Sequence, residues 1–412
     1  MPCAQSDFTD ATPRATKSAY VHRSESCDLS HATQATPANA PLSPPSYPAI
    51  GRSTNLQSDA SITRNGTKPN PAHGARRPEV FRESGLRSET ESARKHPSAK
   101  LVNPSRPRPP VLALIGRTPL LPLHFPEAGR TLYAKAEFLN PSGSIKDRLA
   151  LAIIEDAEER GLLRPDSIIL ECTSGNTGIS LAMVGAAKGY RVKILMSESA
   201  SVERRHLIRQ LGGEVQLFAA NRGYATGIEL SLELAAQDPR IFLPRQFENP
   251  LNALDHETAT GPEILAQLGG PADAFVSGYG TGGTLTGCGR ALKAARATTR
   301  VLAMEPAEAA MLSGEMPCCH LIEGVAGGYV PPLLRGAQLD GVVKVSSADA
   351  LTMTRRLSRE FGLLVGPSSG ANIIAALRTA GELPPTAKVV TILCDRAERY
   401  YSTKLFAEPP AP

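Results

Sequence analysis

The 412-residue chain has no uninterrupted apolar run of about 20 residues, the length a membrane-spanning helix requires. It also lacks the apolar segment of about 7–15 residues that a secretory signal carries. There is no cysteine framework either. The seven cysteines, Cys3, Cys27, Cys172, Cys288, Cys318, Cys319 and Cys394, are odd in number and form no Cys-x-x-Cys pair. That argues against a disulfide-stapled secreted fold and against a metal site of structural zinc type, and it suits the reducing cytoplasm. Cys318 and Cys319 are chain neighbours, a poor geometry for a disulfide, so free thiols are expected.

Charge of one sign is concentrated in only one place. Residues 1–110 hold 15 Lys and Arg against 9 Asp and Glu, out of 45 and 40 in the whole chain, so the remainder is close to neutral. The same stretch holds 15 of the 35 prolines, with many serines and threonines and few long apolar runs. It cannot bury enough apolar surface to offset the chain entropy lost on folding. A disordered Pro/Ser-rich extension is expected over 1–108. Its arginines are scattered, so it reads as solvated chain rather than as an arm for nucleic acid or lipid. Asp7 and Asp10, with no amphipathic basic helix, argue against a targeting peptide.

From Val111 onward short apolar runs alternate with helical patterns. Strands are expected at 131–138, 167–171, 191–196, 215–218, 274–277, 301–305 and 389–393. Helices are expected at 149–160, 178–188, 202–211, 285–295, 348–361 and 369–380, several stopped by glycine (Gly161, Gly189, Gly212). Repeated β-α-β units of this length predict parallel sheet with helices on both faces. No internal repeat has a fixed period. Two α/β halves with a cleft at the carboxyl ends of their strands is the economical architecture.

Three loops in that framework carry chemistry. Lys146 follows the turn-forming run Asn140-Pro141-Ser142-Gly143-Ser144 and precedes a helix. A lysine amine is a point charge until its pKa is lowered, and then it attacks carbonyls. Gly280-Thr281-Gly282-Gly283-Thr284 follows a strand and opens a helix, where unpaired N–H groups and the helix dipole favour an anion. It lacks the lysine of a Walker loop and does not match GxGxxG; a plain strand-helix turn is its other reading. Thr173-Ser174-Gly175-Asn176-Thr177-Gly178 offers N–H groups and hydroxyls to a carboxylate, or simply an N-cap. Singly, each has a structural explanation. Together they present an amine for an aldehyde, a cradle for its phosphate and a clamp for an amino acid, which points to pyridoxal 5'-phosphate.

The ordered motifs PSGSIKDR (141–148), TSGNTG (173–178), QFENP (246–250), GTGGTLTG (280–287), GPSSGAN (366–372) and DRAERYYST (395–403) resemble signatures of the fold-type-II pyridoxal-phosphate enzymes. Within them the chain resembles the cysteine synthases (O-acetylserine sulfhydrylases) and the catalytic core of cystathionine β-synthase, over about residues 115–406. The resemblance implies an α/β fold of two open subdomains, tryptophan synthase β-like. The catalytic domain would span 109–406, with a smaller movable subdomain at about 144–245 and a larger one made of 111–143 plus 246–404. It also implies small-molecule substrates and a homodimer, with no nucleic-acid or membrane partner. An apolar segment such as 111–115 could pack across the dimer.

Roles follow residue by residue. Lys146 would hold the cofactor covalently and serve as the base at Cα. Asn176 would bond the cofactor's ring hydroxyl. Thr173, Ser174, Thr177 and Gln246 would bind the substrate carboxylate, and Gly280, Thr281, Gly282, Gly283 and Thr284 would cradle the phosphate. Ser368 would face the pyridine nitrogen. A neutral hydroxyl there makes the ring a weaker electron sink than a carboxylate would, which favours β-elimination and replacement over transamination. The implied reaction exchanges acetate or phosphate on an activated serine for sulfide or a related thiol.

The branch signals are mixed. Asp147-Arg148 and the run from Leu393 to Tyr400 look like the B branch of cysteine synthases or like cystathionine β-synthase, whereas the run from His320 to Pro331 looks like the A branch. This leaves O-acetylserine, O-phosphoserine and serine open, and with them the donor: sulfide, thiosulfate or a carrier protein. Nothing follows Pro412, so a regulatory tandem module is not expected. Cys27 and His31, an i, i+4 pair in Pro-rich sequence, are not expected to ligate haem. Thr177 stands where threonine dehydratases carry histidine. A diaminopropionate-forming relative and a catalytically idle binding protein are the remaining alternatives; the latter usually loses the lysine or the phosphate loop, and both are intact.

Overall fold

The computed structural model describes residues 109–219, 224–316 and 318–407. The expected extension over 1–108, with Cys27 and His31, lies outside the described residues. The strands are β1 (Leu120–Phe125), β2 (Arg130–Ala136), β3 (Ile168–Cys172), β4 (Arg191–Ser197), β5 (Glu214–Phe218), β6 (Ile241–Phe242), β7 (Ala274–Gly278), β8 (Arg300–Pro306), β9 (Gly341–Val345) and β10 (Val389–Leu393). The helices are α1 (Lys146–Glu159), α2 (Asn176–Lys188), α3 (Val202–Gln210), α4 (Tyr224–Gln237), α5 (Leu251–Asp255), α6 (Gly261–Leu268), α7 (Gly283–Ala295), α8 (Ser347–Phe361) and α9 (Pro367–Gly381).

Two sheets organise them. The larger runs β1-β2-β10-β7-β8-β9 and the smaller β5-β4-β3-β6. All pairings are parallel except β1 with β2, so the parallel expectation holds for all but one edge strand. β10 lies inside the larger sheet, with Val389 opposite both Leu132 and Ala274, and all five of its residues are buried. A strand covered on both faces must be apolar at every position, which is why the run from Val389 to Leu393 does not alternate.

The period-2 geometry of a strand sends neighbours to opposite cores. Val276 and Val389 pack with Leu357 of α8 and Ile373 of α9 on one face. Phe275 and Val390 pack with Ile264 of α6 and Leu292 of α7 on the other. In the smaller sheet Ile169 and Ile194 meet Ile154, Val184 and Ile208 of α1, α2 and α3, whereas Leu170 and Leu195 face Ile228 and Leu234 of α4. Burying each such side chain stabilises the fold by about 1.5–3 kcal/mol. Leu112 also packs into the core under α1 and α2, so the chain near residue 112 leans on the smaller sheet, while Val111 and Leu114 remain exposed.

Two boundaries differ from expectation in ways that matter below. The strand expected over 131–138 stops at Ala136, because Glu137–Leu139 tightens into a 3-10 turn that drives Glu137 inward. The helix expected from 149 starts three residues earlier, at Lys146. Segments missed altogether are β1, α4, β6, β9 and the helical stretch from α5 to α6, where Pro250 and Pro262 punctuate the pattern and a π turn (His256–Thr260) joins the two helices. Among the described residues, no helix is long and apolar enough to cross a membrane.

Candidate active site

A cavity of about 580 Å³ opens beyond the carboxyl ends of β3, β7 and β10. Four helices, α1, α2, α7 and α9, begin on its wall or one residue from it, and in none of the four does the N-cap residue's own side chain cap the helix, although Ser144 Oγ takes the Lys146 N–H at 3.3 Å and Thr281 Oγ1 the Gly283 N–H at 3.4 Å. Such N-termini leave N–H donors and the positive ends of four helix dipoles for a ligand. Of the twelve residues singled out from the sequence, all but Gly283 line this cavity.

Lys146 is the first residue of α1 and one wall of the cavity. Its side chain shows partial exposure only because it borders the cavity; otherwise protein surrounds it. Burial holds its amine below the ordinary lysine range, against the opposing pull of Cys394 and Asp395. The positive end of α1 acts in the same direction as burial. Among the described residues its amine has no hydrogen-bond partner. The turn before it is rigid: Asp147 accepts from the Ser142 N–H at 2.7 Å, from the Ser142 hydroxyl and from Ser180 Oγ at 2.6 Å.

Behind the lysine lies a buried ionic network. Arg148 grips Glu137 through Nε at 2.7 Å and Nη2 at 2.8 Å, and Glu263 through Nη1 at 2.9 Å and Nη2 at 2.7 Å. Lys135 also donates to Glu263, at 2.7 Å. Burial opposes ionisation of Glu263, yet these hydrogen bonds outweigh it and hold its carboxyl at about 2. The network therefore bolts the first turn of α1 to β2 and α6.

The 173–177 loop joins β3 to α2. Thr173 Oγ1 accepts the Gly175 N–H at 3.1 Å, which leaves its proton free to donate, and Ser174 lies open to the cavity. Thr177 Oγ1 donates to Gln246 Oε1 at 2.6 Å, while Gln246 Nε2 donates to Cys172 O at 3.0 Å. These two form a cross-link between α2 and the 246–250 run, so the donors Thr177 and Gln246 have left are the Thr177 N–H and the second amide hydrogen of Gln246. The Asn176 amide is also anchored: Nδ2 donates to Asp395 at 2.6 Å and Oδ1 accepts from Arg399 Nη1 at 2.5 Å. One Nδ2 hydrogen remains.

In the 280–284 loop, Gly282 takes φ +85°, a left-handed conformation natural to glycine. The Gly283 N–H lies 3.4 Å from Thr281 Oγ1, and a Cβ on Gly283 would stand 2.0 Å from Asn252 Oδ1. Gly283 is set back from the cavity wall and gives passage to Asn252, while its neighbours Gly282 and Thr284 line the cavity. Asn252 in turn donates to Gln246 O and Thr281 Oγ1, both at 2.8 Å. Thr284 Oγ1 lies 3.0 Å from His256 Nε2, whose Nδ1 reaches Thr260 Oγ1 at 2.8 Å. Burial, reinforced by Arg148 and Lys146, holds His256 neutral. Ser368, buried at the start of α9, lines the cavity beside Cys394, whose thiol burial pushes up to about 12.

Asn252, His256, Asp395, Arg399, Arg204 and Glu323 were not assigned roles from the sequence. Asp395 and Arg399 lay inside a quoted motif, and Glu323 inside another, so only their function was hidden. Asn252 and His256 lie just past QFENP in a stretch whose helix went unread. Arg204 carried no signal beyond being one of two adjacent arginines.

An unpartnered buried lysine amine, facing bare helix N-termini that suit a phosphate and a carboxylate, fits pyridoxal 5'-phosphate, and the two-sheet fold around it is that of a fold-type-II enzyme of this cofactor. The profile of the family described as Pyridoxal-phosphate dependent enzyme matches residues 111–395. A probable cysteine synthase of Bacillus subtilis is 45% identical over 299 residues, 71% of this chain and 96% of the relative. An O-ureido-L-serine synthase of Streptomyces lavendulae is 45% identical over 298 residues, 72% and 92% of the two chains. The crystal structure of an O-acetylserine dependent cystathionine beta-synthase from Helicobacter pylori superposes with a TM-score of 0.70 at 37% identity, covering 72% of this chain and 98% of that one. The chain belongs to the cysteine synthase and cystathionine β-synthase family, and it is a pyridoxal-phosphate-dependent enzyme of the β-replacement type.

Proposed function

We propose that the chain replaces the β-substituent of an activated L-serine, O-acetylserine in the first place, with hydrosulfide to give L-cysteine. When bound at Lys146, the cofactor supplies an electron sink for the Cα–H bond. The chain's own residues do the rest. The 173–177 loop holds the substrate carboxylate through N–H groups at the start of α2 and the hydroxyls of Thr173 and Ser174. Gln246 and Thr177 keep that loop in place and complete the clamp. The free Nδ2 hydrogen of Asn176 serves the ring oxygen, and the 280–284 loop serves the phosphate. Lys146 Nζ, whose pKa burial lowers, takes the proton from Cα and later returns it there. Acetate leaves Cβ and sulfur bonds to it. Ser368 offers its hydroxyl to the ring nitrogen.

The half at about 144–245 closes over the substrate and excludes water. Support comes from the ties across the cavity mouth, which are side-chain contacts that part without cutting a sheet: Ser201 Oγ to Arg399 O at 2.9 Å, and Glu203 to Ser402 at 2.8 Å. A homodimer and a cytoplasmic location complete the reading. The exposed Val111 and Leu114 and the free described cysteines support it.

The single observation that carries the proposal is Lys146: an unpartnered amine with a depressed pKa at the floor of a cavity ringed by bare helix N-termini. The test is the visible spectrum of the purified protein, before and after adding O-acetylserine, O-phosphoserine or serine separately, with Lys146→Ala as control. A visible band that one ester shifts and sulfide restores supports the reading. No band even after reconstitution with pyridoxal 5'-phosphate returns the chain to the idle binding protein. The relative named O-ureido-L-serine synthase supports a second reading, with a nucleophile other than sulfide; restoration by hydroxyurea but not by sulfide would favour it.

A further inference from the structure

Two opposite charges meet at the mouth of the cavity, and the reaction derived above uses neither. Arg204 stands on α3, on the side of the smaller sheet; Glu323 lies in the segment before β9, on the side of the larger. Arg204 Nη1 bonds the Glu323 carboxylate, and its guanidinium stacks 4.6 Å above the centre of the Tyr400 ring. Arg204 is buried and Glu323 is 33% exposed. Arg204 Nε, also buried, has no hydrogen-bond partner among the described residues.

Position ties the pair to the substrate. A Cβ on Gly175 would stand 2.2 Å from Arg204 Cδ, so the arginine stem begins directly behind the carboxylate loop. A Cβ on Gly280 would stand 2.5 Å from the carbonyl oxygen of Gly324, so the residue after Glu323 abuts the phosphate loop. The pair therefore lies on the wall of the cavity between the loop proposed to hold the substrate carboxylate and the loop proposed to hold the phosphate, within reach of a group carried on Cβ.

Charge then decides which substituent fits. Among the described residues on the cavity wall, Glu323 is the one carboxylate and Arg204 the one arginine. Burial keeps His320 neutral and lowers Lys146. A phosphate ester asks for a free guanidinium or ammonium. Here the guanidinium is already taken, and freeing it would leave the phosphate beside a carboxylate. An acyl ester adds no charge and asks for no cation.

We propose that the Arg204–Glu323 pair selects the leaving group, admitting serine activated by an uncharged acyl group and rejecting serine phosphate. This rests on the β-replacement reading. The test compares kcat/KM for O-acetylserine and O-phosphoserine, and the rise in Tm each ester produces, in the cofactor-loaded wild type and in Glu323→Gln, Glu323→Asp and the double variant Arg204→Met/Glu323→Gln. In the wild type the acetyl ester is preferred. Glu323→Gln shifts the ratio toward the phosphate ester by at least about tenfold, well under the roughly thousandfold that one charge about 4 Å away would exert at an effective dielectric near 20. O-phosphoserine then raises the Tm of this variant and not that of the wild type. Glu323→Asp keeps the wild-type preference, and the double variant loses the gain because no guanidinium remains to take the phosphate. A wild type that prefers the phosphate ester overturns the proposal while leaving β-replacement standing. So does an unchanged ratio in a Glu323→Gln protein that folds and holds cofactor as the wild type does. If the wild type neither binds nor converts either ester, the β-replacement reading fails and the selection goes with it.

Discussion

Replacing Arg148 with methionine keeps most of the volume and removes the charge that holds the start of α1. The guanidinium makes four contacts of 2.7–2.9 Å, two to Glu137 and two to Glu263. Glu263 retains Lys135, but Glu137 is fully buried and is left with only Thr118 Oγ1 at 2.6 Å and Asn140 Nδ2 at 2.8 Å. Breaking a buried pair by removing one partner costs about 3–5 kcal/mol, because an uncompensated charge stays behind. Against a total stability of about 5–15 kcal/mol, that is a large fraction. The assay is urea unfolding followed by far-ultraviolet circular dichroism on cofactor-free protein, since a bound cofactor adds stability by mass action. Arg148→Lys keeps the charge and loses the two-pronged geometry, so it should cost less than methionine and still more than about 1 kcal/mol. The double variant Arg148→Met/Glu137→Met removes the stranded carboxylate and should recover part of the loss. A loss below about 1 kcal/mol for Arg148→Met, or no recovery in the double variant, would refute the argument that a buried charge is being compensated.

Glu171 is buried, which outweighs the N–H groups of Cys172 and Gln246 it accepts and lifts its carboxyl to about 7. A folded pKa raised above the unfolded value of 4.5 means stability is fully present below 4.5 and is lost as pH rises through about 7. Glu171→Gln should therefore gain on the wild type across that window, by up to about 3 kcal/mol, and stay level above it; a pH-independent difference in unfolding free energy would contradict this. Asn252→Ala removes two hydrogen bonds of 2.8 Å, to Gln246 O and Thr281 Oγ1, and should cost about 1–3 kcal/mol and weaken cofactor retention, read by Tm and by cofactor titration. Gly283→Ala displaces the same side chain, so the two variants should be strongly non-additive; full additivity in Tm would mean that they act separately.

Legibility of the site followed the reach of each residue's task. The 173–178 and 280–284 loops were readable because a helix N-terminus after a strand is a local event, marked by glycine and small hydroxyls within six residues. Lys146 was readable from its turn and from the order of the loops. The close approach of Asn252 to Gly283 was not readable, because Asn252 lies 31 positions earlier and nothing in the loop announces it. β1 escaped because an edge strand needs apolar residues on one face only, and its burial does alternate at the end from Leu123 to Phe125. The stretch from α5 to α6 escaped because Pro262 sits in the first turn of α6, a place helices tolerate proline, yet in the linear pattern it reads as a break.

By itself, then, the sequence determined the parallel α/β framework and the cofactor class, and it pointed to the lysine proposed to meet that cofactor, since hydrophobic period, turn chemistry and helix starts are all short-range properties. Only the tertiary structure decided which distant charges meet. Arg148 finds Glu263 across 115 positions, Arg204 finds Glu323 across 119, and Lys135 finds Glu263 across 128. Any of many carboxylates could satisfy those cations as far as composition is concerned. Packing two sheets around one cavity brings particular ones within hydrogen-bonding distance, and burial makes those pairings expensive to exchange.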